Sequence, residues 1–119
     1  MEDRLIDILS VFGYPVRRQG SLAEDEDYPD SFFTFWNVDT YDTSRYDGKT
    51  CGIGWEFDVN FYSADPARTY RVLEAARERL KQEGFTISGK GYDVPSDVDT
   101  HTGRGMCVEY LEFDQKGEL

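Results

Sequence analysis

Residues 53–83 constrain the fold of this chain more than any other stretch. In Ile53-Gly-Trp55-Glu-Phe57-Asp-Val59-Asn-Phe61-Tyr62 the apolar residues fall on odd positions, and Gly54, Glu56, Asp58, Asn60 and Tyr62 fall on even ones. Successive strand side chains point to opposite faces, so this pattern predicts a strand with one buried and one wet face. Asp65-Pro66 follows. Asp65 suits a helix N-cap, because its carboxylate can accept from free N–H groups of the first turn, and Pro66 suits the first helical position, where no donor is needed. Thr69, Leu73, Ala76 and Leu80 then recur at helical spacing, with Val72 widening the stripe. Lys81 sits in the last turn and Gly84 can end the helix, which is predicted over residues 65–83. One half-buried strand feeding one amphipathic helix requires a sheet with helices packed on one face.

The remaining segments extend that unit. Residues 1–13 predict an N-terminal helix with Leu5, Ile8, Leu9 and Phe12 on one face, ended by Gly13 and Tyr14-Pro15. Pro15 to Gln19 reads as a short edge strand. Leu22 to Asp30 reads as an acidic loop around Glu24-Asp-Glu-Asp27. Ser31 to Trp36 reads as a strand without clean alternation, hence covered on both faces. Asp39 to Thr50 reads as a polar loop. Phe85 to Ile87 starts a further strand that frays into Gly89-Lys-Gly91, Asp93 to Arg104 reads as a loop, and Gly105 to Phe113 as the last strand. Residues 114–119 read as a flexible tail. The order α-β-β-β-α-β-β, with runs of strands and no βαβ alternation, predicts an α+β fold with a mixed or antiparallel sheet, formed as a single domain over residues 1–119. Three long acidic loops in so small a domain point to action through surfaces.

Charge narrows the partners. The chain carries 24 acidic against 13 basic residues, a formal net charge of −11. Such a balance repels nucleic acid and anionic lipid headgroups, so no direct binding to either is expected. No apolar run approaches the roughly 20 residues that cross a bilayer, and no basic-then-apolar secretory leader is read at the N-terminus. Cys51 and Cys107 stand far apart without a CxxC pattern, as expected for two free, buried cytosolic thiols. Aromatic residues are 15 % of the chain, ample for a core and with tyrosine left for a surface.

No residues assemble into a catalytic constellation. Asp97, Asp99 and His101 alternate in one loop, as oxygen-rich cation ligands can, but Pro95, the missing glycine and Arg104 break the register of a calcium loop. The loop reads as solvated or partner-facing. Cys51, Cys107 and His101 lack the paired spacing of structural zinc, and a Cys107–His101 nucleophile pair would place the thiol within a strand, where thiols are usually inert. Gly52-Ile-Gly54 lacks the third glycine of a dinucleotide loop and enters a strand, while Gly89-Lys-Gly91 and Gly103-Arg-Gly105 lack the context of phosphate cradles and read as bends or bulges at strand ends. No cofactor and no metal are expected. Arg17-Arg18 is the one basic pair on a predicted strand, suited to a salt bridge within the chain or to the acidic surface of a neighbouring subunit.

Four segments, Pro15-Val-Arg-Arg-Gln-Gly-Ser-Leu22, Tyr28-Pro-Asp-Ser-Phe-Phe-Thr-Phe-Trp-Asn37, Trp55-Glu-Phe-Asp-Val-Asn-Phe-Tyr-Ser-Ala-Asp-Pro66 and Asp99-Thr-His-Thr-Gly-Arg104, carry a resemblance. Spanning most of residues 14–113, the chain resembles small prophage proteins encoded among the structural genes of long-tailed phages of Gram-positive bacteria. In size and element order these are similar to tail terminator, or tail completion, proteins. The resemblance implies a non-enzymatic virion protein that closes into a ring, usually a hexamer, at the end of the tail. Such a ring stops tube polymerisation and joins the tail to the head. Its implied partners are further copies of itself, the tail tube protein and head–tail connector proteins, in the host cytoplasm during assembly and then in the virion. DNA would pass through the ring without being held, consistent with an acidic wall. Arg17, Arg18, Asp97, Asp99, His101 and Arg104 are the expected assembly contacts. A head–tail connector or other neck protein is the nearest alternative. An acidic mimic of DNA is the alternative of another class, though it calls for carboxylates spaced along one face. An enzyme is the weakest reading.

Overall fold

The computed structural model describes residues 1–18, 29–46, 49–96 and 99–113. Two helices and six strands occur in the order α1 (Glu2–Ser10), β1 (Val16–Arg18), β2 (Ser31–Tyr46), β3 (Lys49–Ser63), α2 (Pro66–Gln82), β4 (Thr86–Ile87), β5 (Tyr92–Val94) and β6 (Thr102–Phe113). The fold is α+β with a mixed sheet. Its strand order is β1-β2-β3-β6-β4, with β5 also paired to β6. β1 runs parallel to β2, and every other pairing is antiparallel.

The strand–helix unit forms as its sequence dictates. Asp65 caps α2 by accepting from the Ala67 N–H at 3.1 Å, with Pro66 first in the helix. Gly84, at φ 98°, carries the chain out of it. The odd residues of β3 face the helices: Phe57, Val59 and Phe61 have no exposed surface. They form one cluster with Leu5, Ile8 and Leu9 of α1, Leu73, Ala76 and Leu80 of α2, Phe33 and Phe35 of β2, and Met106 and Val108 of β6. Burying each such side chain contributes about 1.5–3 kcal/mol. Both helices therefore lie on one face of the sheet. Among the described residues, no helix is long and apolar enough to cross a membrane.

Two expected loops are largely strand. Residues 39–46 continue β2, and β3 begins at Lys49, so most of the expected polar loop at 39–50 is a β-hairpin arm. Register shifts between Asn37 and Asp39, between Asp42 and Ser44, and between Ser44 and Arg45 break the alternation that would have marked a strand. Pairing with β3, Thr40 opposite Trp55 and Tyr41 opposite Gly54, overrides the weak strand preference of the aspartates. The expected loop at 93–104 is also shorter. Gly91, at φ 109°, turns the chain so that Tyr92–Val94 pairs with Gly103–Gly105, and β6 already begins at Thr102. Glycine is needed at position 103, where a Cβ would stand 2.7 Å from both Tyr62 and Val94. β5 adds one short strand to the expected order. The acidic loop at 22–28 and the tail at 114–119 lie outside the described residues.

Candidate functional site: the open face of the sheet

Cross-strand partners share a face, so the register identifies what lies opposite the helices. Thr34 pairs with Asn60, Trp36 with Asp58, Asp39 with Glu56 and Tyr41 with Gly54. Asn60 pairs in turn with Gly105, Asp58 with Cys107, Glu56 with Glu109 and Gly54 with Leu111. At one end this face is covered. Phe32 stacks on Tyr62 at 5.3 Å between centroids, and His101 lies 6.1 Å from Phe32 while contacting the Pro29 carbonyl oxygen at 2.8 Å. At the other end nothing in the described chain covers it. Trp36, Tyr92 and Leu111 are about half exposed there, although they are large and apolar.

Carboxylates occupy the centre of this uncovered area. Asp39, Glu56 and Glu109 stand in one row across three strands, with Asp58 one pleat away. Directly opposed like charges destabilise a sheet. Neutral donors meet them: Trp36 Nε1–H donates to Asp58 Oδ2 at 2.7 Å, Tyr92 O–H to Asp58 Oδ1 at 3.4 Å, the Cys107 thiol to Glu56 Oε1 at 3.2 Å, and Tyr41 O–H to Glu109 Oε2. Among the described residues, Glu56, Asp58 and Glu109 have no cation at ion-pair distance. The ion pairs join other acids instead, such as Glu2 with Arg18, Asp30 with Arg68, Glu83 with Arg4 and Asp93 with Arg104. The same face carries Thr34, whose buried Oγ1 has no hydrogen-bond partner among the described residues.

The local field shows in the neighbouring acids. The Cys107 thiol is pushed up to about 12 by burial first, then by its hydrogen bond to Glu56 and by the surrounding carboxylates. The Tyr41 phenol is pushed up to about 12, first by its hydrogen bond to Glu109. Burial, and after it the Asp58 charge, raises Tyr92. A thiol so placed is protonated at neutral pH and is a poor nucleophile. Alkylation of the Cys107 peptide by iodoacetamide at pH 8 is expected to run at least about 100-fold slower in the folded protein than in the unfolded chain. Glu56→Gln should speed it, and equal rates in folded and unfolded protein would reject this environment. The sign for stability follows: the raised thiol stabilises the fold fully below the ordinary value of 9.0 and ceases to as pH rises toward about 12.

The five described residues among those expected as assembly contacts are spread over more than one surface. Arg17 is exposed on β1 and has no ion-pair partner among the described residues. Arg18 Nη1 is held by both carboxylate oxygens of Glu2, at 2.5 and 2.6 Å. Arg17 is opposite Thr34, Thr34 opposite Asn60 and Asn60 opposite Gly105, which sets Arg17 three strands from Arg104. Arg104 points to the helix side, where it pairs with Asp93 at 2.9 Å and lies over the Tyr70 ring at 4.3 Å. His101 and Arg104 do share a cleft of about 390 Å³, lined also by Tyr70, Val94 and Thr69. Asp99 is exposed, and Asp97 lies outside the described residues. No group of three or more His, Cys, Asp or Glu able to hold a metal ion occurs among the described residues.

The sequence had placed Glu56 and Asp58 on a wet face. It did not mark Trp36, Tyr41, Cys107 and Glu109 as their companions, because that grouping depends on register. Compared with known protein families and with curated proteins, the chain matches none.

Proposed function

We propose that this protein is a phage virion subunit of the tail terminator kind, closing into a ring at the tail end and joining tail to head. One structural observation carries the reading: two sheet edges are left open at the same end of the molecule. β1 covers β2 only at Phe33–Phe35, and β4 covers β6 only at Val108 and Glu109. Among the described residues, the outer edges of β2 beyond Phe35 and of β6 beyond Tyr110 pair with nothing. Unpaired edges are templates for another chain. Two different edges on one subunit suit a head-to-tail contact, the kind that generates rings. The bulges and acids along β2 oppose indiscriminate pairing. The four sequence segments described above support the same role.

A charge of −11 per subunit opposes closure at low salt, and screening is strong beyond about 8 Å at physiological salt. The protein is therefore expected to be monomeric when dilute at low salt. It should shift toward a closed oligomer at high concentration, at higher salt or with tail tube protein, as read by native mass. Arg17→Glu, on an exposed cation with no ion pair among the described residues, should weaken joining without unfolding the domain. A phage lacking the protein should show over-long or unjoined tails beside DNA-filled heads. Joined tails of normal length would reject the reading, and tails of correct length that fail to attach would move the protein to a connector position. The row of Asp39, Glu56 and Glu109 favours a second reading, the acidic DNA mimic, because it aligns on one face Asp39, read from the sequence as a loop residue, with the strand acids Glu56 and Glu109. A native mass that stays monomeric at every salt concentration, with normal tails in the protein's absence, would favour that reading.

A further inference from the structure

We infer that the uncovered end of the sheet face is a docking surface for a segment of another protein that carries arginine or lysine beside apolar side chains. The inference holds whether or not the protein forms rings, since the ring reading uses the edges of the sheet and this one uses its face.

Three observations converge. First, Trp36, Tyr92 and Leu111 are left about half exposed around one patch, although the same sheet buries Phe33, Phe57 and Phe61 completely on its other side. Apolar groups gathered at one place and rimmed by polar ones mark interaction sites. Second, Glu56, Asp58 and Glu109 sit inside that patch and, among the described residues, meet neutral donors only, whereas Asp30 and Asp93 elsewhere meet arginines. Glu56 and Glu109 face each other directly, an arrangement that works against the fold and that a cation laid between them would relieve. Local arrangements that work against the fold are expected at functional sites. Third, the aromatic groups are in place for the same occupant, because a guanidinium over Trp36 or Tyr92 gains cation–π attraction in addition to the carboxylates.

Charge complementarity selects among occupants. Nucleic acid is repelled by this face. A second copy would bring the same acids if it met face to face. Among the residues whose side chains are described, the cations without an ion pair are Arg17, Arg71 and Lys90, on β1, on α2 and in the bend after β4. These three are dispersed over different elements, so they do not make up a basic counterpart to the patch. A basic segment of a different protein does.

The test uses the full chain and a short synthetic peptide of mixed arginine and leucine, followed through the Trp36 indole N–H signal by NMR and through affinity by calorimetry. Binding is expected to move that signal and to weaken with salt without vanishing, since apolar contact persists. The triple variant Glu56→Gln/Asp58→Asn/Glu109→Gln should lose at least about tenfold in affinity. Asp3→Asn/Asp7→Asn/Glu74→Gln removes equal charge from the helices and should change it by less than about twofold. Equal losses in the two triple variants would reduce the effect to net charge and overturn the proposal, as would absence of binding. So would wild-type self-association that disappears in the first triple variant, since that makes a second copy the occupant. Should the triple variant not fold, Trp36→Ala and Glu109→Gln singly must each weaken binding, or the proposal fails.

Discussion

Phe57→Ala is expected to destabilise the protein by about 3–5 kcal/mol, a large part of the roughly 5–15 kcal/mol available to a domain of this kind. Phe57 has no exposed surface and lies in the cluster that joins both helices to the sheet. Its ring meets Phe35 edge-on at 6.4 Å and is parallel to Trp55 at 6.2 Å. Removing it leaves a cavity that three strands and α2 cannot close together, because their backbones are tied by the sheet ladder and by the α2 cap. Urea unfolding monitored by far-UV circular dichroism checks this, with Asp7→Ala as an exposed control on α1. A midpoint loss in Phe57→Ala no larger than in the control would mean that β3 does not present its odd residues to the helices.

Gly54→Ala should have its largest effect on one side chain. A Cβ at position 54 would stand 2.3 Å from Tyr41 Cζ and 2.5 Å from its Cε2, closer than any packed pair tolerates. The ring has open solvent beside it and should swing away, losing its hydrogen bond to Glu109 and its place over the acidic row. The Tyr41 phenol should then fall from about 12 back toward 10.0, since the Glu109 hydrogen bond is the chief cause of its elevation. That is on the order of a hundredfold change in acidity. Titration of ¹³Cζ-tyrosine signals by NMR reads it residue by residue. A Tyr41 that still titrates near 12 in the variant would show that the ring can be held in place without the gap that glycine leaves. Loss of the Tyr41–Glu109 contact also frees one carboxylate, so the variant should bind the arginine–leucine peptide at least as well as wild type.

The two helices, the strand between 53 and 62 and the packing of its odd residues were legible in the sequence. Each rests on short-range causes: period-two alternation, helical spacing of Leu73, Ala76 and Leu80, and an Asp-Pro pair that starts α2. The α+β class followed from element order. Residues 39–46 and 92–94 were not legible as strands. Bulges erase alternation in the first, and the second exists only because Gly91 turns it against glycines of β6. The candidate site was half legible. Alternation alone assigned Glu56 and Asp58 to the wet face, but their neighbours come from residues about twenty positions earlier, Trp36 and Tyr41, and about fifty later, Cys107 and Glu109. Arg17 and Arg104 likewise appeared as one basic set in the sequence, and two strands, β2 and β3, lie between them in the fold. The sequence by itself thus determined which side of each element is apolar, because that is fixed by backbone geometry. Only the tertiary structure decided which polar groups share a surface, because register between distant strands is set by packing of the opposite, buried face.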